Sequence, residues 1–267
     1  MAEPVYTLHY FPFSLHSLMV RFGFVLGESL NPDTAPRLKV RLVNLHREDH
    51  LSEPYLTLVN TKGQVPVLTS PALPASLDDS RAIAQWLCKR QPELMPEEHE
   101  EVILSLMEKI YSVQALPLVI SAEDRQYGLP NQAAALLEKN GLSPKYRRAL
   151  EISSIFHETT NSSSLDPDNV TEAEEGALEF MHELVEVLRD NNRGRTWIFG
   201  DQPTILDAHV TALAARLMEV DREDLLPEEV QAYARSVIDT PEWKRTTGGR
   251  PTTWDDSLGK VADFEII

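Results

Sequence analysis

Val5 to Tyr10 alternates Val, Thr and His with Tyr, Leu and Tyr and then meets Pro12, the period-two pattern of a strand running into a turn. Leu15, Leu18, Met19, Phe22 and Leu26 follow at helical spacing. A second strand is read at Val40, Leu42, Val43 and Leu45, and a short helix from Glu53 to Val59 leads to Asn60, Thr61, Lys62 and Gly63. Val65 to Thr69 reads as a third strand, whose proline belongs at a strand start, an edge or a bulge. Pro71 to Ser76 turns the chain, Leu77 is a short fourth strand, and Asp78 to Lys89 predicts a helix with Ala82, Ile83, Trp86 and Leu87 inward.

That order, βαβαββα, is the thioredoxin-like arrangement. From Pro92 the strand signals stop. Pro96 followed by Glu97, Glu98, Glu100 and Glu101 puts acid at the positive end of a helix that Val102, Leu106 and Ile110 continue. Further helices are expected from Tyr146 to His157 and from Thr171 to Asp190, the second with Leu178, Met181, Leu184, Val185 and Leu188 on one face. Ser162 to Asp168 reads as a polar, mobile loop. The expected fold class is α/β followed by all-α: a thioredoxin-like domain over residues 1–91, a linker near Gln91, and a helical domain over residues 92–267.

A chain of 267 residues suits two domains, each able to bury a core. Its 42% hydrophobic and 25% charged residues are ordinary globular values. The formal charge of -17 argues against tracking a nucleic-acid backbone, which needs clustered Lys and Arg, and against acidic membranes. No apolar run is long enough to span a bilayer, and the start carries no basic leader or cleavage site, so a cytoplasmic location is expected. The only cysteine, Cys88, cannot form an intramolecular disulfide and reads as buried packing beside Trp86 and Leu87, with a catalytic thiol as the alternative.

Three stretches together resemble the cytosolic glutathione transferases. The first is Gly63, Gln64, Val65, Pro66, Val67 and Leu68. The resemblance implies a cis Pro66, with the N–H and C=O of Val65 turned toward the cysteinyl part of glutathione, as an open strand edge captures a peptide. An ordinary edge strand with a trans proline is the plainer reading of the same residues. The second stretch is Asp79 and Ser80, opening the helix with Arg81, Ala82, Ile83 and Ala84. Free N–H groups and the Ser80 hydroxyl suit the γ-glutamyl carboxylate, and Asp79 the α-ammonium. A simple helix cap is the alternative. The family usually has Glu at the position of Asp79, one methylene longer. The third is Trp197 to Asp207, which resembles the family's helical-domain signature, with Thr204 capping a buried helix and Asp207 closing a capping box.

An inert thiol must be ionised to react, and the resemblance places Ser14, in the loop Phe11 to Ser17, where serine-type members keep the residue that stabilises the thiolate. Ser17 takes the role if the loop register shifts, and Tyr10 is a third candidate that fits sheet packing better. His16 is expected near the pocket mouth. His50 and Lys62 are the cationic candidates for the glycyl carboxylate, or else solvated surface residues, and Arg21 reads as a partner for carboxylates. Met107, Ile110, Tyr111 and Gln114 are candidates for the wall of the second pocket, or else core. The stretch from Pro117 to Ser164 is longer than compact family members require. No metal is expected at the site.

The expectations for function are three. The first is a glutathione transferase in which glutathione, as co-substrate or cofactor, attacks a small hydrophobic electrophile as its thiolate. The second is a glutathione-dependent cis-trans isomerase of a conjugated alkene, since the serine-type loop and long helical insert resemble transferases of filamentous fungi, some of which act in secondary metabolism. The third is a non-catalytic glutathione-binding protein that kept the fold. A homodimer is implied by the resemblance alone.

Overall fold

The computed structural model describes residues 4–254, 256–258 and 260. Strand β1 (Tyr6–Tyr10) lies centrally in a three-stranded sheet, pairing in parallel with β2 (Leu38–Leu42) and antiparallel with β3 (Val67–Thr69). Tyr6, Leu8 and Tyr10 point into the main core, while Thr7 and His9 face the other side, as strand alternation requires. Helix α1 (Leu15–Leu30) follows β1, α2 (Glu53–Leu58) follows β2, and α3 (Ser80–Arg90) closes a thioredoxin-like domain.

The helical domain comprises α4 (Glu100–Ser112), α5 (Ala115–Val119), α6 (Ala122–Arg125), α7 (Gln132–Leu137), α8 (Pro144–Phe156), α9 (Pro167–Asn191), α10 (Ile205–Glu219), α11 (Glu228–Ile238) and α12 (Pro241–Thr247). One core cluster runs from the sheet through α1 into α4, α9 and α10. Helix α1 is its centre, because it packs on α3 within its own domain and on α10 and α12 of the other. Gly23 permits the close crossing with α10: a Cβ there would lie 2.9 Å from Ile205 Cδ1.

Four local expectations are corrected. The second strand ends at Leu42, and Leu45 lies in a 3-10 turn (Leu45–Arg47), because the Asn44 side chain accepts the N–H groups of His46 and Arg47 at 3.0 and 3.2 Å. The third strand starts at Val67, after Pro66, which has no N–H to give a ladder. The fourth strand is reduced to a single antiparallel bridge between Leu68 and Leu77, since the cap of α3 takes over the chain two residues later. Ser162 to Asp168 is not a loop. Helix α8 widens into a π-helical turn (His157–Ser162), tightens into a 3-10 turn (Ser163–Leu165), and passes through Asp166 directly into α9, with Pro167 in its first turn.

Gln91, where a linker is expected, is fully buried as the C-cap of α3. Its side-chain amide donates to the carbonyls of Gly27 and Asn31 at 2.7 and 3.2 Å, satisfying the end of α1. Gly27 leaves room for this contact, as a Cβ there would lie 2.2 Å from Gln91 Oε1.

Candidate functional site

Ser14 sits between β1 and α1 with extended backbone and caps the helix: its Oγ accepts the N–H of Ser17 at 3.3 Å. The hydroxyl hydrogen is directed to no protein acceptor among the described residues, so the group can still donate at the positive end of a sixteen-residue helix. Ser17 is fully buried, and its Oγ accepts the Phe11 N–H at 3.4 Å, which ties it to the loop backbone. Tyr10 is also buried, and burial pushes its phenol well above the ordinary range.

His16 begins the solvent-facing side of α1, with its ring 6.5 Å from that of Tyr111 and nearly parallel to it. Crowding by protein atoms pulls its imidazole pKa below the usual value, and Asp79 opposes that pull. Tyr111 in turn connects three elements. Its hydroxyl hydrogen-bonds His209 Nε2 at 2.8 Å and shares a hydrogen bond with Ser80. His209 Nδ1 lies 2.8 Å from the Ile205 carbonyl, so Nδ1 carries the hydrogen, Nε2 accepts from Tyr111, and the tyrosine oxygen accepts from Ser80. Burial holds His209 down to about 4, neutral as this arrangement needs. The start of α3 is thereby fixed to α4 and α10.

Asp79 caps α3, with Oδ1 accepting the Ala82 N–H at 2.8 Å, and Ser80 is buried beside it. The cap uses one of the two carboxylate oxygens. The Val65–Pro66 peptide is cis, and the Gln64 carbonyl just before it accepts the Tyr55 hydroxyl at 2.6 Å. Val65 is half-buried against the small core of Phe11 and Phe13, on which Leu42, Leu45, Trp254 and Leu258 also pack.

His50, Lys62 and Gln64 line, with Leu51 and Gly63, one side of a cavity of about 120 Å³ whose other side comes from the helical domain, including Asn131, Ser153 and His157. Burial pushes the His50 imidazole down to about 4, and its Nδ1 is buried with no hydrogen-bond partner. Lys62 is exposed at the side chain, while its carbonyl accepts from Ser153 Oγ at 3.1 Å. The long stretch after Pro117 thus folds into α5 to α8 and docks on α2: Leu51, Leu56, Ala133, Ala149 and Leu150 form a second small core, and the Tyr146 hydroxyl donates to the Leu51 carbonyl at 2.8 Å. A larger cleft, about 780 Å³, opens on the other face of the sheet between His9, Tyr55 and Leu58; none of the predicted site residues lines it.

Of the expected pocket wall, Met107 and Ile110 are buried in the main core, Gln114 is exposed, and Tyr111 alone faces the corner between α1 and α3. Arg21 lies near Glu28, but also near Arg245 and the Tyr10 phenol, and burial lowers its pKa. Cys88 is buried with its thiol pushed up to about 12, which makes it inert. Sequence reasoning missed Arg216, which is buried in α10 and bonded to the loop before Ser14. The available signal was an arginine inside the run Ala212 to Met218, otherwise apolar.

Residues 34–97 match the family model for the glutathione S-transferase N-terminal domain. Among curated protein sequences none matches the chain significantly. Among solved structures the chain is similar to a glutathione transferase family member from Pseudomonas fluorescens with two glutathione molecules bound, at 16% identity over 91% of this chain and 92% of that one, with a TM-score of 0.56. It is similar also to poplar glutathione transferase F1, at 14% identity over 92% and 98% of the chains with a TM-score of 0.59. A glutathione transferase homolog from Drosophila mojavensis with bound glutathione gives 20% identity, 93% coverage of both chains and a TM-score of 0.53. At these identities the likeness is one of fold. The chain has the two-domain glutathione transferase architecture, a thioredoxin-like domain with a small mixed sheet followed by a helical domain.

Proposed function

We propose that the protein is a serine-type glutathione transferase that holds the glutathione thiol as a thiolate beside Ser14 for attack on a small hydrophobic electrophile. The observation that carries this reading is the Ser14 hydroxyl, which accepts from Ser17 and so keeps its own hydrogen to donate at the N-terminus of α1. A free thiol has a pKa near ~8.5. A hydrogen bond to the charged sulfur and the positive end of a helix both lower that value, so the thiolate is favoured near neutral pH. Ser17 also accepts a backbone N–H but is fully buried where Ser14 is partly exposed, and is the weaker candidate.

The remaining roles follow from placement. The main chain of Val65, beside the cis bond to Pro66, would take the cysteinyl unit. Asp79 and Ser80 at the start of α3 would take the γ-glutamyl head group. The glycyl carboxylate would reach the cavity lined by His50, Lys62 and Gln64. The same reading divides the domains at Gln91 and takes the protein as a cytoplasmic homodimer, for which the exposed Val102 and Leu104 on α4 offer apolar surface.

Titration of the bound thiol by its ultraviolet absorbance tests the reading. The wild-type complex should ionise below the free value. Ser14→Ala should reverse that shift and lower kcat/KM by about 10²-fold. Glutathione bound with an unshifted thiol would instead support a binding protein without catalysis. Analysis of products for adducts and for isomers decides between conjugation and isomerisation.

A further inference from the structure

Arg216 is only 7% exposed, and its guanidinium reaches three protein oxygens. Nη2 donates to the Phe13 carbonyl at 2.9 Å and to the Thr252 carbonyl at 2.5 Å, and Nε donates to Thr252 Oγ1 at 2.9 Å. The Phe13 carbonyl belongs to the same peptide group as the Ser14 N–H, which itself donates to the Phe11 carbonyl at 3.1 Å. Both polar ends of the peptide leading into Ser14 are therefore held, one by the loop and one by α10.

The far side of Arg216 is also anchored. Glu219, one turn on in α10, accepts the N–H groups of Thr252 and Thr253 at 2.7 and 3.0 Å and the Thr252 hydroxyl at 2.6 Å. The segment so fastened continues to Trp254, which lies against His46 with ring centroids 4.6 Å apart and packs, as Leu258 does, on the small core of Phe11 and Phe13. A strap including residues 252–254 and 258 thus lies against the loop that carries Ser14, on the same small core that Val65 packs on. Burial lowers the Arg216 pKa to about 10, against the pull of Glu219, so the residue is cationic at neutral pH.

We propose that Arg216 is a positioning residue for Ser14: together with Thr252 and Glu219 it fixes the Phe13–Ser14 peptide, and so the direction of the serine hydroxyl toward the reacting sulfur. This rests on the reading of Ser14 given above. Other charged or titratable groups at this corner are His16 on α1, Asp79 at the start of α3, Tyr111 on α4 and His209 on α10. Since the positive charge of Arg216 would itself favour a thiolate, the test must separate field from geometry.

Arg216→Lys does so, because lysine keeps the charge but is a point donor without the planar fork that serves several oxygens at once. Thr252→Val removes only the hydroxyl that links Arg216 Nε to Glu219, and leaves Arg216 and the main-chain contacts of the strap in place. In the glutathione complex both variants should raise the pKa of the bound thiol and lower kcat at neutral pH, on the order of 10-fold for Arg216→Lys and less for Thr252→Val. KM for glutathione should be unchanged. The loss should shrink as pH is raised past the free thiol value of ~8.5, where ionisation needs no help. A lower Tm with wild-type thiol pKa and kcat in both variants would overturn the proposal, as would full retention of function by Arg216→Lys. If Arg216→Lys does not fold, Thr252→Val decides alone. Absence of a thiolate in the wild type sinks the role of Ser14 and this inference with it, whereas a wild-type thiolate unmoved by either variant sinks only the inference.

Discussion

Tyr111 shows how one side chain sets the chemistry of its neighbours. Because His209 is buried and held neutral, its Nε2 needs a donor, and the Tyr111 hydroxyl is that donor. Tyr111→Phe leaves the nitrogen unpaired and releases the Ser80 hydroxyl. The expected cost is about 1–3 kcal/mol, read as a lowered Tm, together with a raised KM for glutathione if Ser80 reads its head group. Ser14 is a candidate through the family resemblance, and its place between a strand and a helix start is legible because that setting is local: a strand, a proline turn and a helix start lie within a few residues of it. Tyr111 was legible only as a position on a helical stripe. Its partners, Ser80 and His209, come from α3 and α10, and no spacing rule brings those together. Arg216 is hidden for the same reason, since its acceptors Phe13 and Thr252 lie at opposite ends of the chain.

Among the elements, those with a strong period or a defined cap were legible in advance. The capping box at the start of α10 is the clearest example, because Thr204 and Asp207 are three residues apart and signal each other. The Asp207 carboxylate accepts the N–H groups of Ile198 and Thr204 and the hydroxyls of Thr204 and Tyr233, all between 2.7 and 2.9 Å. Asp207→Ala leaves these donors buried without an acceptor, so thermal unfolding should show a loss of about 3 kcal/mol or more. A small effect on Tm would mean that water replaces the carboxylate. The thioredoxin-like order was readable through the same logic of period and turn, while the ends of β2 and β3 were not. There Asn44 and Pro66 act through hydrogen bonds made or withheld, which override hydrophobic alternation. The π-helical turn after α8 has no sequence signature of that kind, and its polar residues imitate a loop.

For the whole molecule, acid sensitivity follows from its buried imidazoles. His9 and His209 are both lowered from 6.5 to about 4, His9 by burial and by the Arg41 charge, His209 chiefly by burial. Above pH 6.5 neither the folded nor the unfolded state binds the proton, and these groups contribute nothing to pH dependence. Between 6.5 and about 4 the unfolded chain takes up protons that the folded one refuses, so stability falls by about 1.4 kcal/mol per pH unit for each group. Denaturant unfolding at a series of pH values should show this slope, and His9→Gln should make it shallower. A flat profile across that range would contradict the burial of both rings. The junction at Gln91 bears on how the molecule can be divided. Since its amide is sewn into the last turn of α1, and α1 in turn lies under α10 and α12, the passage between the halves is a rivet and not a hinge. Severing the chain there would strip a greasy face from each piece, so neither half is a natural unit for separate expression.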